Sequence, residues 1–174
     1  KVIFDGMELK NVSTEIGVAD EALELNNMRA DLLGGSWIID GKYITKDMVD
    51  KPRFEFSYDI EKFDIAESFD YFNSMDKLAP VAGHMLGVFS SDLSLNGKLN
   101  EDLSLDVMSL NGDGRVDVPF ATFESLPLLE KAADLTQLVD LENLAINDAW
   151  TVLSFNDGRV YIDPTSIAFK DMNF

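Results

Sequence analysis

Arg53-Phe54-Glu55-Phe56-Ser57-Tyr58-Asp59-Ile60 alternates polar and apolar residues without a break. Successive side chains of an extended chain point to opposite faces. Phe54, Phe56, Tyr58 and Ile60 therefore share one face, and Arg53, Glu55, Ser57 and Asp59 share the other. Aromatic residues suit a half-buried pleated surface, so the stretch reads as a strand with one face turned from water. The same period continues outward. Leu93, Leu95 and Leu99 repeat it, as do Leu103, Leu105 and Val107, and then Val116, Val118 and Phe120. Further strands are expected over Met7–Thr14, Ala22–Met28, Ser36–Thr45, Thr151–Phe155 and Arg159–Ile162. Asn96-Gly97, Asn100-Glu101-Asp102 and Asn111-Gly-Asp-Gly114 supply turn chemistry between them. The pattern predicts a mainly β fold of about eight to eleven strands in an antiparallel meander.

Two segments break the alternation. Ser68–Ala79 carries Phe69, Phe72, Met75 and Leu78 at helical spacing and stops before Pro80. Thr122–Val139 carries Leu128, Ala132, Leu135 and Val139, with Ser125 ahead of Pro127 as a start. Two short helices are thus expected, near residues 66–79 and 122–139. Each has one apolar face, so each should pack on the sheet or cap it. A shift of 137 residues, which places Asp20 on Asp157, also lays Leu9 on Ile146, Ile16 on Leu153, Val18 on Phe155 and Leu23 on Val160; Met7 then falls on Leu144. Agreement of apolar parity points to a repeated hairpin unit that could continue beyond both ends.

Composition narrows the functional classes. A chain of 174 residues supports one core, and the whole of 1–174 is read as a single β-rich domain, a fragment of a longer chain. With 32 Asp and Glu against 14 Lys and Arg, the net charge of −18 repels nucleic-acid phosphates and anionic membrane surfaces. Nucleic acid is therefore not an expected partner. The absence of cysteine excludes disulfides, thiolate metal sites and thiol chemistry, and no apolar run is long enough to span a bilayer as a helix.

No residue meets the requirements of a catalytic site, and the chain is not expected to be an enzyme or to carry a cofactor or metal. Asn111-Gly-Asp-Gly-Arg-Val-Asp117 resembles the centre of a calcium loop. With Gly114 sixth, however, the first and twelfth positions are Ser109 and Phe120, which lack the carboxylates that close the shell. It is read as a hairpin connection that binds no calcium tightly. His84, the single histidine, has no cysteine to accompany it and reads as a packing or surface residue. Gly34-Gly35 lacks the Lys-Ser/Thr of a phosphate loop and reads as a turn or bulge; Trp37 and Trp150 read as core residues. The residues singled out are the apolar strand positions Phe54, Phe56, Leu93, Leu95, Leu103 and Leu105, which either line an open lipid-facing trough or fill the core of a closed sandwich.

Ala82-Gly83, the strand and turn Asp92-Leu-Ser-Leu-Asn-Gly-Lys-Leu99, a following strand at Glu101–Leu103 and the re-entry Gly112-Asp-Gly-Arg-Val116 together resemble the C-terminal region of the AsmA family of Gram-negative envelope proteins. Phe155–Phe174 has the same look of strand, turn and strand. The resemblance implies a periplasmic, non-enzymatic domain, anchored to the inner membrane through a segment not in this chain. It further implies a part in outer-membrane assembly or in transport and buffering of phospholipid, through an elongated, curved, groove-like sheet with an apolar interior. The expected partners are phospholipid acyl chains, other envelope proteins or neighbouring domains of the same chain. The alternative is a structural or adhesive β-domain that mediates protein contacts in the envelope.

Overall fold

The computed structural model describes residues 2–4, 6–45, 51–72, 80–123, 145–163 and 166–169. Among these residues ten strands form one open antiparallel sheet: β1 (Val2–Phe4), β2 (Met7–Ala19), β3 (Ala22–Leu32), β4 (Gly35–Ile44), β5 (Arg53–Asp64), β6 (Met85–Lys98), β7 (Asn111–Phe123), β8 (Ala145–Asn156), β9 (Arg159–Ile162) and β10 (Ser166–Phe169). Spatial order follows chain order from β1 to β8. β9 and β10 then share the outer edge of β8, along Leu153–Asn156 and Ile146–Trp150 respectively. The expected mainly β meander is what forms.

Tight turns set the register. Asp20-Glu21, Leu33-Gly34 and Asp157-Gly158 each hold both central residues at positive φ, the handedness that matches the twist of two-residue hairpins. Inside the strands, Asn27 and Lys62 also adopt positive φ, and an extra residue enters the pairing between Leu25 and Met28 and between Ile60 and Phe63. Each bulge returns the next apolar residue to the face of the last one. The 137-residue shift relates backbone as well as sequence: left-handed residues occur at Asn11 and Asp148, at Asp20 and Asp157, and at Glu21 and Gly158. Leu144 lies outside the described residues.

Buried apolar residues gather in two clusters toward one end of the sheet. Met7, Leu9, Ala30, Leu32, Leu33, Ile60 and Phe63 form the first, with Trp37, Tyr58, Phe72 and Phe89 against it. Ile65, Ala82, Met85, Ala121, Ile146 and Ala149 form the second. Phe63 joins them, tilted 32° against Trp37 and edge-on to Phe89. The helix α1 (Ile65–Tyr71) supplies Ile65 and Phe69 to the second cluster.

The helix starts earlier than expected. Asp64 Oδ1 accepts the Glu67 N–H at 2.8 Å, and this Asp-x-x-Glu cap fixes the start at Ile65, not Ser68; Phe72 is already extended. Residues 73–79 of the expected segment lie outside the described residues. So does most of the second expected helix, but Thr122 and Phe123 belong to β7.

Three further expectations are corrected. Asn96-Gly97 lies within β6 and Asn111-Gly-Asp-Gly114 within β7, so neither is a hairpin turn. The reversal between those strands is the Leu99–Leu110 connection, where Leu103 N–H bonds the Asn100 carbonyl at 2.9 Å. Leu103, Leu105 and Val107 consequently form no strand. Leu103 sits at positive φ, Leu105 makes an isolated bridge to Leu99, and Val107 opens a 3-10 turn. Trp150 is no core residue either. Its ring is 39% exposed, and the Arg115 guanidinium lies 4.5 Å above it. Trp37 is half-buried against the first cluster; of Gly34-Gly35, expected as a turn or bulge, Gly34 is the second residue of the Leu33-Gly34 turn and Gly35 opens β4.

Candidate apolar binding face

Cross-strand register assembles the apolar positions into rows. Ile16, Leu25, Gly41, Phe56, Leu95, Gly112, Phe155 and Val160 lie side by side across the sheet from β2 to β9. The next row toward the core is Met28, Ile39, Tyr58, Leu93, Gly114, Leu153 and Ile162. On the far side run Val18, Leu23, Tyr43, Phe54 and Gly97. Four of the residues singled out from sequence thus come together. Phe56 faces Leu95 directly, Leu93 faces Tyr58, and Phe54 faces Gly97. Phe56 and Tyr58 also meet edge to face at 6.2 Å.

The glycines in these rows explain how one sheet layer half-buries large side chains. A Cβ on Gly114 would stand 2.8 Å from Leu93 Cδ1, and one on Gly97 would stand 3.1 Å from the Phe54 ring. Each large residue lies across the backbone gap of its neighbour rather than upright. Phe54, Phe56, Leu93 and Leu95 are all half-buried, and the only buried member of the three rows is a glycine, Gly114, so no apolar side chain in them is fully buried. Exposure rises at the margins, to 70% at Ile16 and 65% at Ile162.

Leu103 and Leu105 do not join this face. They are 62% and 48% exposed on the Leu99–Leu110 connection, held there by Asn100, Ser104 and Asp102 hydrogen bonds. Sequence reasoning did not single out Leu25, Tyr43, Leu153 or Phe155, which the register places in the same rows. The signal for them was the alternation in β3, β4 and β8, together with glycines on the strands opposite.

The other face is polar. Glu24, Lys42, Glu55 and Asn96 form one of its rows, and Asp40, Ser57, Ser94 and Asp113 the next. A depression of about 670 Å³ lies over it, lined by these residues of β3 to β6 together with Arg53 and Lys98. The Lys42 ammonium bonds Glu24 at 2.7 Å, which holds that carboxyl below its ordinary range and raises Lys42. Asp117 holds Arg115 through two hydrogen bonds of 2.5 and 2.7 Å. Because Asn111–Asp117 is extended, its ends stand roughly 20 Å apart, which is too far for one cation shell. Among the described residues no three acidic or imidazole side chains gather as a metal site, and His84 is exposed in the 3-10 turn Pro80–His84. No helix among the described residues is long and apolar enough to cross a membrane.

No family model matches the chain, and neither curated proteins nor solved structures show a significant similarity to it.

Proposed function

We propose that this domain is a non-enzymatic carrier surface for phospholipid acyl chains, and that it works in the envelope, where AsmA-like domains of the kind it resembles serve outer-membrane assembly and lipid transport or buffering. The observation behind this reading is the three-row apolar face on which no large side chain is fully buried, continuous across most of the sheet. An apolar surface of that extent is stabilised by covering it, and acyl chains lying over the three rows would remove it from water without a second protein layer. Contact is expected through acyl chains rather than headgroups, because the net charge of −18 repels an anionic membrane surface. In this reading the sheet extends a groove within the periplasm, and the membrane tether belongs to a segment outside this chain.

A structural or adhesive role in protein contacts is the second reading. It draws on the outer edge of β2, where β1 pairs only with Met7–Leu9 and Val18 is 80% exposed.

Lipid extraction and mass spectrometry of the purified domain, with thermal melts, separate the two readings. Wild type should carry phospholipid, and Leu95→Asp should lose it while still melting cooperatively. Leu105→Asp, on the exposed connection, should keep both lipid and fold. A wild type free of lipid, combined with collapse of Leu95→Asp, would show a face that packs against protein instead, since a carboxylate buried there without a partner unfolds its surroundings.

A further inference from the structure

We propose that Arg53 and Lys98, side by side at the margin of the polar depression, form a binding site for the phosphate group of a small, soluble, hydroxyl-bearing phosphate ester. The site lies on the face opposite the apolar rows and does not depend on the lipid reading.

Arg53 on β5 and Lys98 on β6 are direct cross-strand partners. The Leu99 N–H bonds the Pro52 carbonyl, while the Lys98 N–H and carbonyl turn away to Ser109 Oγ and the Asp106 N–H. Arg53 and Lys98 are therefore a non-hydrogen-bonded pair, the arrangement that brings opposite side chains closest. Like charges placed so destabilise a sheet. This chain has 32 carboxylates for 14 cations, and Lys42, Lys51 and Arg115 each hold one. Arg53 and Lys98 take part in no ion pair or side-chain hydrogen bond among the described residues, although both are exposed and Lys98 is near enough to Asp106 to help hold its carboxyl down. Among the described residues, two adjacent positive charges at the rim of a depression thus stand without a hydrogen-bonded carboxylate.

The ligand class follows from charge and shape. A phosphate monoester carries close to two negative charges at neutral pH, which matches the two cations, whereas a carboxylate matches one. A guanidinium presents its donors as a fork suited to phosphate oxygens, and a neighbouring ammonium adds a point charge. Beyond the pair, Ser57 and Ser94 stand directly opposite each other and Asn96 lies between Ser94 and Lys98 along β6, offering neutral hydroxyl and amide groups to the remainder of the ester. The depression of about 670 Å³ is of the size that holds a small molecule. Glu55, two residues from Arg53 on the same face, is the nearest lining carboxylate that opposes an anion here, with Asp40 further along the depression and Asp106 beside Lys98, while Glu24 is occupied by Lys42. A soluble ester is favoured over a lipid headgroup because an anionic bilayer sets many negative charges against the −18 chain at once, whereas a small ester brings about two, and these meet the local cations.

Titration calorimetry with glucose 6-phosphate, alongside flotation with phosphatidylglycerol vesicles, tests this. Wild type should bind the sugar phosphate saturably and leave the vesicles alone. Arg53→Gln and Lys98→Gln should each weaken binding by about tenfold, and Glu55→Gln should strengthen it several-fold. Melts without ligand guard against misfolding. Arg53→Gln should melt no lower than wild type, since it removes a like-charge contact, and Lys98→Gln, which also gives up its attraction to Asp106, should still melt cooperatively. Absence of saturable binding up to about 10 mM, affinity indifferent to both cation variants, or vesicle binding without sugar-phosphate binding would each overturn the proposal.

Discussion

Gly114 shows how a single missing side chain can decide the texture of a sheet. It lies opposite Leu93 and Leu153, and a Cβ there would come within 2.6 Å of the Asp92 carbonyl oxygen and 2.8 Å of Leu93 Cδ1. Leucine therefore fills space that the glycine leaves, and becomes half-buried without a layer above it. Gly112 plays the same part for Leu95, since a Cβ on it would run into the Ser94 carbonyl. Gly114→Val should destabilise the domain by about 2 kcal/mol, because both backbone and Leu93 would have to move. Urea titration measures this directly; a midpoint equal to that of wild type would mean that Leu93 stands upright and that the gap is not what holds it.

At the scale of elements, the alternation in Arg53–Ile60 was enough to expose β5 and its inner face, and the matching runs gave β2, β3, β4, β6, β8 and β9. What was not legible had local causes. Asn-Gly pairs read as turns, yet in β6 and β7 they serve close packing of side chains across strands, a use that only pairing reveals. Leu103 and Leu105 keep the period of a strand while Asp102 bonds the Ser104 N–H and hydroxyl and bends the chain into a loop. Asp64-x-x-Glu67 was a legible cap that the apolar spacing of Phe69 and Phe72 outweighed. The candidate face was half legible: Phe54, Phe56, Leu93 and Leu95 could be found, but their neighbours on β3 and β8 required register. Register also distinguishes two equivalent edges. Ala19 and Ala22 flank a two-residue turn and bond each other, so Ile16 and Val18 aim their N–H groups outward with no strand to receive them among the described residues. Their counterparts under the 137-residue shift, Leu153 and Phe155, pair with Gly114 and Gly112. Amide hydrogen exchange should therefore be fast at Ile16 and Val18 and slow at Leu153 and Phe155. Equal protection at all four would mean that the β2 edge is covered in solution.

For the whole molecule, excess negative charge and an open sheet act on stability through a few specific pairs. Glu24 is held below its ordinary value of 4.5 by its hydrogen bond to Lys42, and Asp102 and Asp106 below 3.8 by Ser104 and Lys51. Each carboxyl binds its proton less readily in the folded chain than in the unfolded one. The stability these groups add is therefore complete above their ordinary values and drains away as pH falls through them toward the folded values. Asp102 is exposed and Glu24 and Asp106 are only half-buried, so each contributes little, but Asp106 has structural reach: Lys51 bridges it at 2.8 Å and Asn100 at 2.9 Å, tying the Leu99–Leu110 connection to the segment before β5. Melting temperature should accordingly fall between pH 5 and pH 3, most steeply below 4. Lys51→Met should lower the melting temperature at pH 7 and flatten that fall, because Asp106 then loses the hydrogen bond that is the largest cause of its weakened proton affinity in the folded chain. Should Lys51→Met lose stability on acidification as steeply as wild type does, the Lys51 bridge would not be what couples the connection to pH, and the Glu24–Lys42 pair across β3 and β4 would be left as the main acid-sensitive contact.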